Sequence, residues 1–136
     1  MPTREEEAAQ WREISRNSRK AAQRLLEAEC YRSCVSRAYY AAYAAITSAL
    51  VQQGITLAYQ GNNPSHLSLP ALVVNNLTFL PLTIRFDLNK ALRRLYAARI
   101  GADYDPAADV GEAAALAMLR DLTRILTQLA LKERLL

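Results

Sequence analysis

Scarcity is informative in this chain. The four glycines among its 136 residues are scattered, which excludes a phosphate loop or a dinucleotide fingerprint. Cys30 and Cys34 lie four apart with no second pair, and the single histidine, His66, is remote from them; neither a disulfide framework nor a zinc site fits. Reduced, partly buried thiols are expected, with no cofactor. No Asp, Glu, Lys or Arg occurs between Arg37 and Arg85. That stretch is not a membrane span, because Gln52 to Gly54, Gly61 to Pro64 and two further prolines interrupt it. No short helix carrying clustered Arg, Asn and Gln follows a tight glycine turn, which excludes a helix-turn-helix and sequence-specific DNA reading. The acidic, polar start from Arg4 to Glu7 is unlike a signal or transit peptide, so a cytoplasmic protein is expected.

What the chain has in quantity is alanine, leucine and arginine, a helical composition. One domain over residues 1–136 is expected, large enough to bury a core. Thr3 is placed to cap a first helix running to about Ala28, with Glu5, Glu6 and Glu7 at its positive end and a stripe of Trp11, Ile14, Ser18, Ala21 or Ala22, and Leu25. After a break at Glu29 to Tyr31, a second helix carries Val35, Ala38, Tyr39, Ala42, Ile46, Ala49 and Leu50 and ends at Gly54 in a glycine cap. Its alanines imply close helix–helix approach. Residues 55–65 read as a polar loop, and Ser65 as the cap of a short helix from His66 to Leu77 with Pro70 in its first turn. The spacing predicts a fourth helix over Leu82 to Ile100, ended or bent at Gly101. It predicts a fifth, capped by Asp109, with a stripe of Val110, Ala114, Met118, Leu122, Ile125 and Leu129. Four long helices with short connections make an all-α, antiparallel four- to five-helix up-and-down bundle.

Two segments stand out. Residues Ser36 to Tyr43 (SRAYYAAY) and Leu95 to Tyr104 (LYAARIGADY) put tyrosines or an arginine where a plain bundle uses leucine. At 100° per residue Arg99 falls within the apolar sector of Ile84, Leu88, Ala91, Leu95 and Ala98. A charge there must find a partner or line a cleft, and Asp103, one turn on, is the obvious partner. From Arg85 to Arg99 five basic residues face one acid, Asp87, so this segment carries the whole net charge of +4. A local basic field is a site hint, although a solvated helix face accounts equally for Lys90, Arg93 and Arg94.

The order of these pieces resembles the small single-domain prokaryotic members of the HEPN domain family, over about Ser18 to Leu131. A first helix like Ala21 to Leu26 precedes an Ala-Tyr-Tyr-Ala helix at Ala38 to Ala41. A histidine after the loop follows at His66, then Arg99 and Asp103-Tyr104 as an Arg-x-x-x-Asp-Tyr element, and a final amphipathic helix. The resemblance implies a helical bundle, usually dimeric. Many such proteins are metal-independent ribonucleases using an Arg-x4-6-His motif; here that histidine position falls on Tyr104, Asp105 or Pro106, and none is histidine. Other relatives act beside a minimal nucleotidyltransferase in toxin–antitoxin-like pairs, where a tyrosine near the arginine motif is modified; Tyr104 is the matching acceptor.

Bland readings stand beside these. Arg99 and Asp103 also suit a structural ion pair tying helix four to the following loop. Tyr39 reads as core packing; Tyr40 points away from it, toward another helix or a groove. His66 reads first as a helix-start histidine, and Trp11 as a core anchor or dimer contact. The uncharged segment from Leu67 to Ile84 has few polar positions, which predicts a homodimer through helix three and its flanks. The leading functional reading is a nucleotide- or RNA-related binding component paired with a nucleotidyltransferase, with Arg99, Asp103, Tyr104, Tyr40 and Arg94 as its cleft. The alternative is a divergent ribonuclease using Arg99, Asp103, Tyr104 and His66.

Overall fold

The computed structural model describes residues 2–55, 57 and 64–130. Among them are five helices and no strand: α1 (Arg4–Glu27), α2 (Tyr31–Gln52), α3 (Leu69–Asn76), α4 (Leu82–Tyr104) and α5 (Glu112–Leu129). Most of the expected loop over 55–65 lies outside the described residues.

The α1 start is as the sequence implies: the Thr3 hydroxyl accepts from the Glu6 amide at 3.1 Å. Its end uses an unexpected residue. Glu29 takes φ +60°, and the amides of Glu29 and Cys30 bond back to Leu26 and Leu25, closing a Schellman turn without glycine. The same turn ends α2, where Gly54 at φ +80° supplies the left-handed residue at no steric cost.

The face α1 buries keeps Trp11, Ser18, Ala22 and Leu25 of the predicted stripe but not Ile14. Ile14 is 47% exposed, while Ala8, Ser15, Ser18 and Ala22 are buried. The reason is close approach. The Ser15 hydroxyl donates to the Ala41 carbonyl and that of Ser48 to the Ala8 carbonyl, both at 2.7 Å, so small residues alone fit between the backbones. These two bonds run α1 antiparallel to α2. Helix α2 is central, with most of its residues buried, and α1, α4 and α5 pack against it.

Three further boundaries shift. Helix α3 starts at Leu69 rather than His66; the Ser65 hydroxyl accepts from the Leu67 amide, within a turn that precedes the helix. Helix α4 runs straight through Gly101 to Tyr104, because a guanidinium from α2 receives its end: Arg32 donates to the carbonyls of Ala102, Asp105 and Ala108 at 3.0, 2.9 and 2.7 Å, and to Gly101 and Pro106 at longer range. Helix α5 starts at Glu112 with Gly111, not Asp109, at its cap, leaving Val110 ahead of it.

The large apolar residues of the segment Leu67 to Ile84 mostly face the core. Leu69, Val73, Leu77 and Leu80 are buried, and among its large hydrophobic residues Leu67, at 80%, and Leu82, at 49%, are the exposed ones. Arg85 and Asn89 on α4 tie this segment down, donating to the carbonyls of Leu80, Val74 and Pro70 at 2.7–3.0 Å. Arg85, the first residue of the basic run on α4, is thereby committed to a structural role.

Candidate functional site

The two segments that stand out in the sequence face each other. Ser36 and Tyr40 are one turn apart on α2, Asp103 and Arg99 one turn apart on α4, and the helices run antiparallel. The Ser36 hydroxyl donates to Asp103 Oδ2 at 3.1 Å, and Arg99 Nη2 donates to the Tyr40 hydroxyl at 2.7 Å. Arg99 is the pivot. Its side chain is 12% exposed, and Nε lies 3.2 Å from Asp103 Oδ2. That approach is off the donor axis and makes an ion pair rather than a hydrogen bond, so Nε remains a buried donor without a hydrogen-bonded acceptor. The pair is intrahelical, i to i+4, and Tyr40 and Ser36 provide the tie to α2.

Aromatic rings surround the cation. The Arg99 guanidinium carbon is 5.2 Å from the Tyr40 ring centre, 5.6 Å from Tyr104 and 6.0 Å from Tyr39. Ring faces stabilise a cation while leaving its N–H edge to other partners. Arg37, exposed on α2, lies 5.6 Å over the same Tyr40 ring. Two guanidinium groups thus flank one tyrosine.

His66 enters from the segment before α3. Its Nδ1 is 2.6 Å from the Tyr39 hydroxyl, with the tautomer deciding which atom donates, and its ring stacks on Tyr96 with centres 5.9 Å apart. Among the described residues Nε2 has no hydrogen-bond partner. Burial, and then the Arg99 charge, pull the His66 pKa below its ordinary value, so the ring is neutral near pH 7. Burial pushes the Tyr39 phenol well above its ordinary range, with Arg99 opposing; Tyr39 keeps its proton.

The structure therefore brings Arg99, Asp103, Tyr104, Tyr40 and His66 together. Tyr104 closes α4 at 69% exposure, beside the Arg99 guanidinium and open to solvent. Arg94 is elsewhere: Nε and Nη2 each bond an Asp121 oxygen on α5 at 2.9 Å, which raises its pKa and fixes α4 to α5. Trp11 packs edge-on to Tyr43, ring centres 6.1 Å apart. Ser36, Arg37, Tyr96 and Arg32 are members or supports of the site that sequence reasoning does not single out. Their signals in the sequence are that Ser36, Arg37 and Tyr96 lie within the two unusual segments and that the i to i+4 spacing of Ser36 and Tyr40 matches that of Arg99 and Asp103.

Chemically, the cluster offers a charge-assisted donor set for phosphate or carboxylate, a neutral imidazole and an accessible phenol. Among the described residues no group of three or more His, Cys, Asp or Glu could hold a metal ion, and no helix is long and apolar enough to cross a membrane.

No curated protein matches the chain by sequence. A domain family does, and its model spans both site segments, His66, most of α1 and the whole of α2 to α5. That match, HEPN domain over residues 8–133, covers nearly the whole chain, and the chain belongs to the HEPN family.

Proposed function

We propose that the Arg99 cluster is the phosphate-binding site of a nucleotide- or RNA-handling component, carried on an antiparallel up-and-down bundle and working in the cytoplasm beside a minimal nucleotidyltransferase in a toxin–antitoxin-like pair. HEPN membership supports the nucleotide- or RNA-related part. The observation that carries the reading is Arg99 itself: a nearly buried guanidinium, oriented by Tyr40 and Asp103, opening toward the exposed Tyr104. A cation held in place beforehand loses little side-chain entropy on meeting a phosphate, and Arg37 supplies a second charge across Tyr40.

Tyr104 is the acceptor in that pairing. Its oxygen bonds to the α-phosphorus of a nucleoside triphosphate as the bond from that phosphorus to the bridging oxygen breaks. Pyrophosphate leaves, and the phenolic proton passes to a base of the transferase. Arg99 alongside offsets the phosphate charge.

A second copy of the chain is the further partner, through α4 rather than α3. Phe86, Lys90, Arg93, Ala97, Ile100 and Tyr104 recur at alternating spacings of four and three, and all are exposed. Antiparallel pairing about Leu95 sets Lys90 against Ile100 and Arg93 against Ala97 of the second copy, so no cation opposes a cation, while Phe86 and Tyr104 fall at the ends of the contact and leave the Tyr104 hydroxyl to the transferase. Light scattering is expected to give twice the chain mass; a monomer contradicts this part.

One observation favours the ribonuclease alternative: His66, absent from the local arginine motif, is delivered to Arg99 from a distant part of the chain. The test is RNA cleavage by the purified protein with EDTA present, comparing wild type, Arg99→Ala and His66→Ala. The binding reading expects no cleavage in any sample. Cleavage by wild type that disappears in both variants transfers the site to the ribonuclease.

A further inference from the structure

A second cationic feature lies away from the Arg99 cluster. Helices α1 and α5 both flank α2, and between them opens a cavity of about 450 Å³. Arg12, Arg16 and Arg19 line it from α1, at positions i, i+4 and i+7 of one face. Ala45 and Ala49 of α2 form its floor, and Leu126 and Leu129 of α5 its far wall. Among the described residues no acidic side chain lines it. Arg16 shares its charge with Glu13 at 3.4 Å on the solvent side. Arg12 and Arg19 have no hydrogen-bond or ion-pair partner among the described residues.

Nothing in the fold requires this arrangement. The two serines bordering the cavity are already committed to the α1–α2 contact, and an exposed helix face balances charge more cheaply by alternating signs. Three guanidiniums on one side and aliphatic carbon on the other suit an amphipathic anion. The volume lies in the range of small-molecule sites.

We infer that this cavity binds an organic phosphate, its phosphoryl group held by Arg12, Arg16 and Arg19 and its carbon body laid on Ala45, Ala49, Leu126 and Leu129. Guanidinium groups match phosphate oxygens in pairs, and three of them neutralise a dianion with donors to spare. The site is separate from the Arg99 cluster and stands whether or not that cluster binds nucleotides.

The experiment titrates the full chain with adenosine monophosphate, octyl phosphate and inorganic phosphate, read by calorimetry and by amide chemical shifts. At least one organic phosphate is expected to bind at least about tenfold more tightly than inorganic phosphate. Shifts are expected to centre on Ala45, Ala49 and Leu126. Which of the two binds tells whether the body is a nucleoside or an alkyl chain. Arg12→Gln with Arg19→Gln, both exposed positions, is expected to weaken binding by at least about tenfold, and Ala49→Leu, which fills the floor without altering charge, to weaken the organic ligand selectively. Arg120→Gln, a single charge loss elsewhere, leaves binding unchanged. Organic phosphates that bind no better than inorganic phosphate, or shifts confined to Arg99 and Tyr104, overturn the assignment.

Discussion

The Arg99 guanidinium donates to the Tyr40 hydroxyl across 2.7 Å, joining helices whose residues are 59 positions apart in the chain. A tyrosine hydroxyl is a neutral acceptor, so it orients the cation without cancelling its charge. Asp103 supplies the partial neutralisation that makes the buried position tolerable. Orientation and residual charge together are what the proposed phosphate site requires of Arg99.

The histidine reports on that charge. His66 is expected to titrate below its ordinary value of 6.5. Arg99→Ala removes the smaller of the two causes, so the value rises toward ordinary without reaching it, while burial remains. The sign for stability follows: between the lowered folded value and 6.5 the unfolded chain binds the extra proton. The contribution of His66 is thus complete above 6.5 and is lost as pH falls through the folded value. Imidazole proton shifts against pH check this. A wild-type value at or above 6.5 contradicts it.

Arg32 is expected to be the most costly arginine to remove outside the Arg99 cluster. Arg32→Ala deprives the carbonyls ending α4 of a charged donor, a loss of about 2–3 kcal/mol. Lysine restores only part, since a single ammonium cannot reach carbonyls spread over seven residues as the planar fork does. Urea unfolding gives the stability change, and faster amide exchange over residues 101–108 locates it.

Because α4 continues through Gly101, Gly101→Ala is expected to stabilise the chain by about 0.5–1 kcal/mol. A methyl there meets only the Ala108 side chain, at an ordinary 3.6 Å. Destabilisation on thermal unfolding contradicts the continuous helix.

Glu29 is the converse case. Its left-handed backbone is strained for any residue with a side chain, and Glu29→Gly is expected to raise stability by about 1 kcal/mol. An unchanged unfolding midpoint shows that the flexibility glycine adds to the unfolded chain cancels the gain.

Much of this molecule is legible in its amino-acid sequence. Thr3 and Gly54 mark helix ends because capping is local chemistry, and Arg99 stands out because a charge in an apolar sector needs a reason. What the sequence hides depends on contacts between distant segments. Hydrophobicity places Ile14 inside, yet the most deeply buried residues of α1 are the small Ala8, Ser15, Ser18 and Ala22. Gly101 reads as a stop because nothing nearby in sequence shows that Arg32 will receive the carbonyls beyond it. His66 looks isolated because its partners, Tyr39 and Tyr96, lie on two other helices. Arg94 resembles Arg99 in type and neighbourhood, and only the position of Asp121 on α5 separates their roles.

The most direct test of the central claim is fluorescence anisotropy of a labelled single-stranded RNA oligonucleotide at fixed salt, with wild type, Tyr40→Phe and Arg99→Ala, each shown to be folded by circular dichroism. If Arg99 is an oriented phosphate anchor, Arg99→Ala weakens binding by at least about tenfold. Tyr40→Phe, which keeps the charge but loses its orientation, falls between the two. Equal affinity in wild type and Arg99→Ala contradicts the account and returns the Arg99–Asp103 pair to a purely structural role.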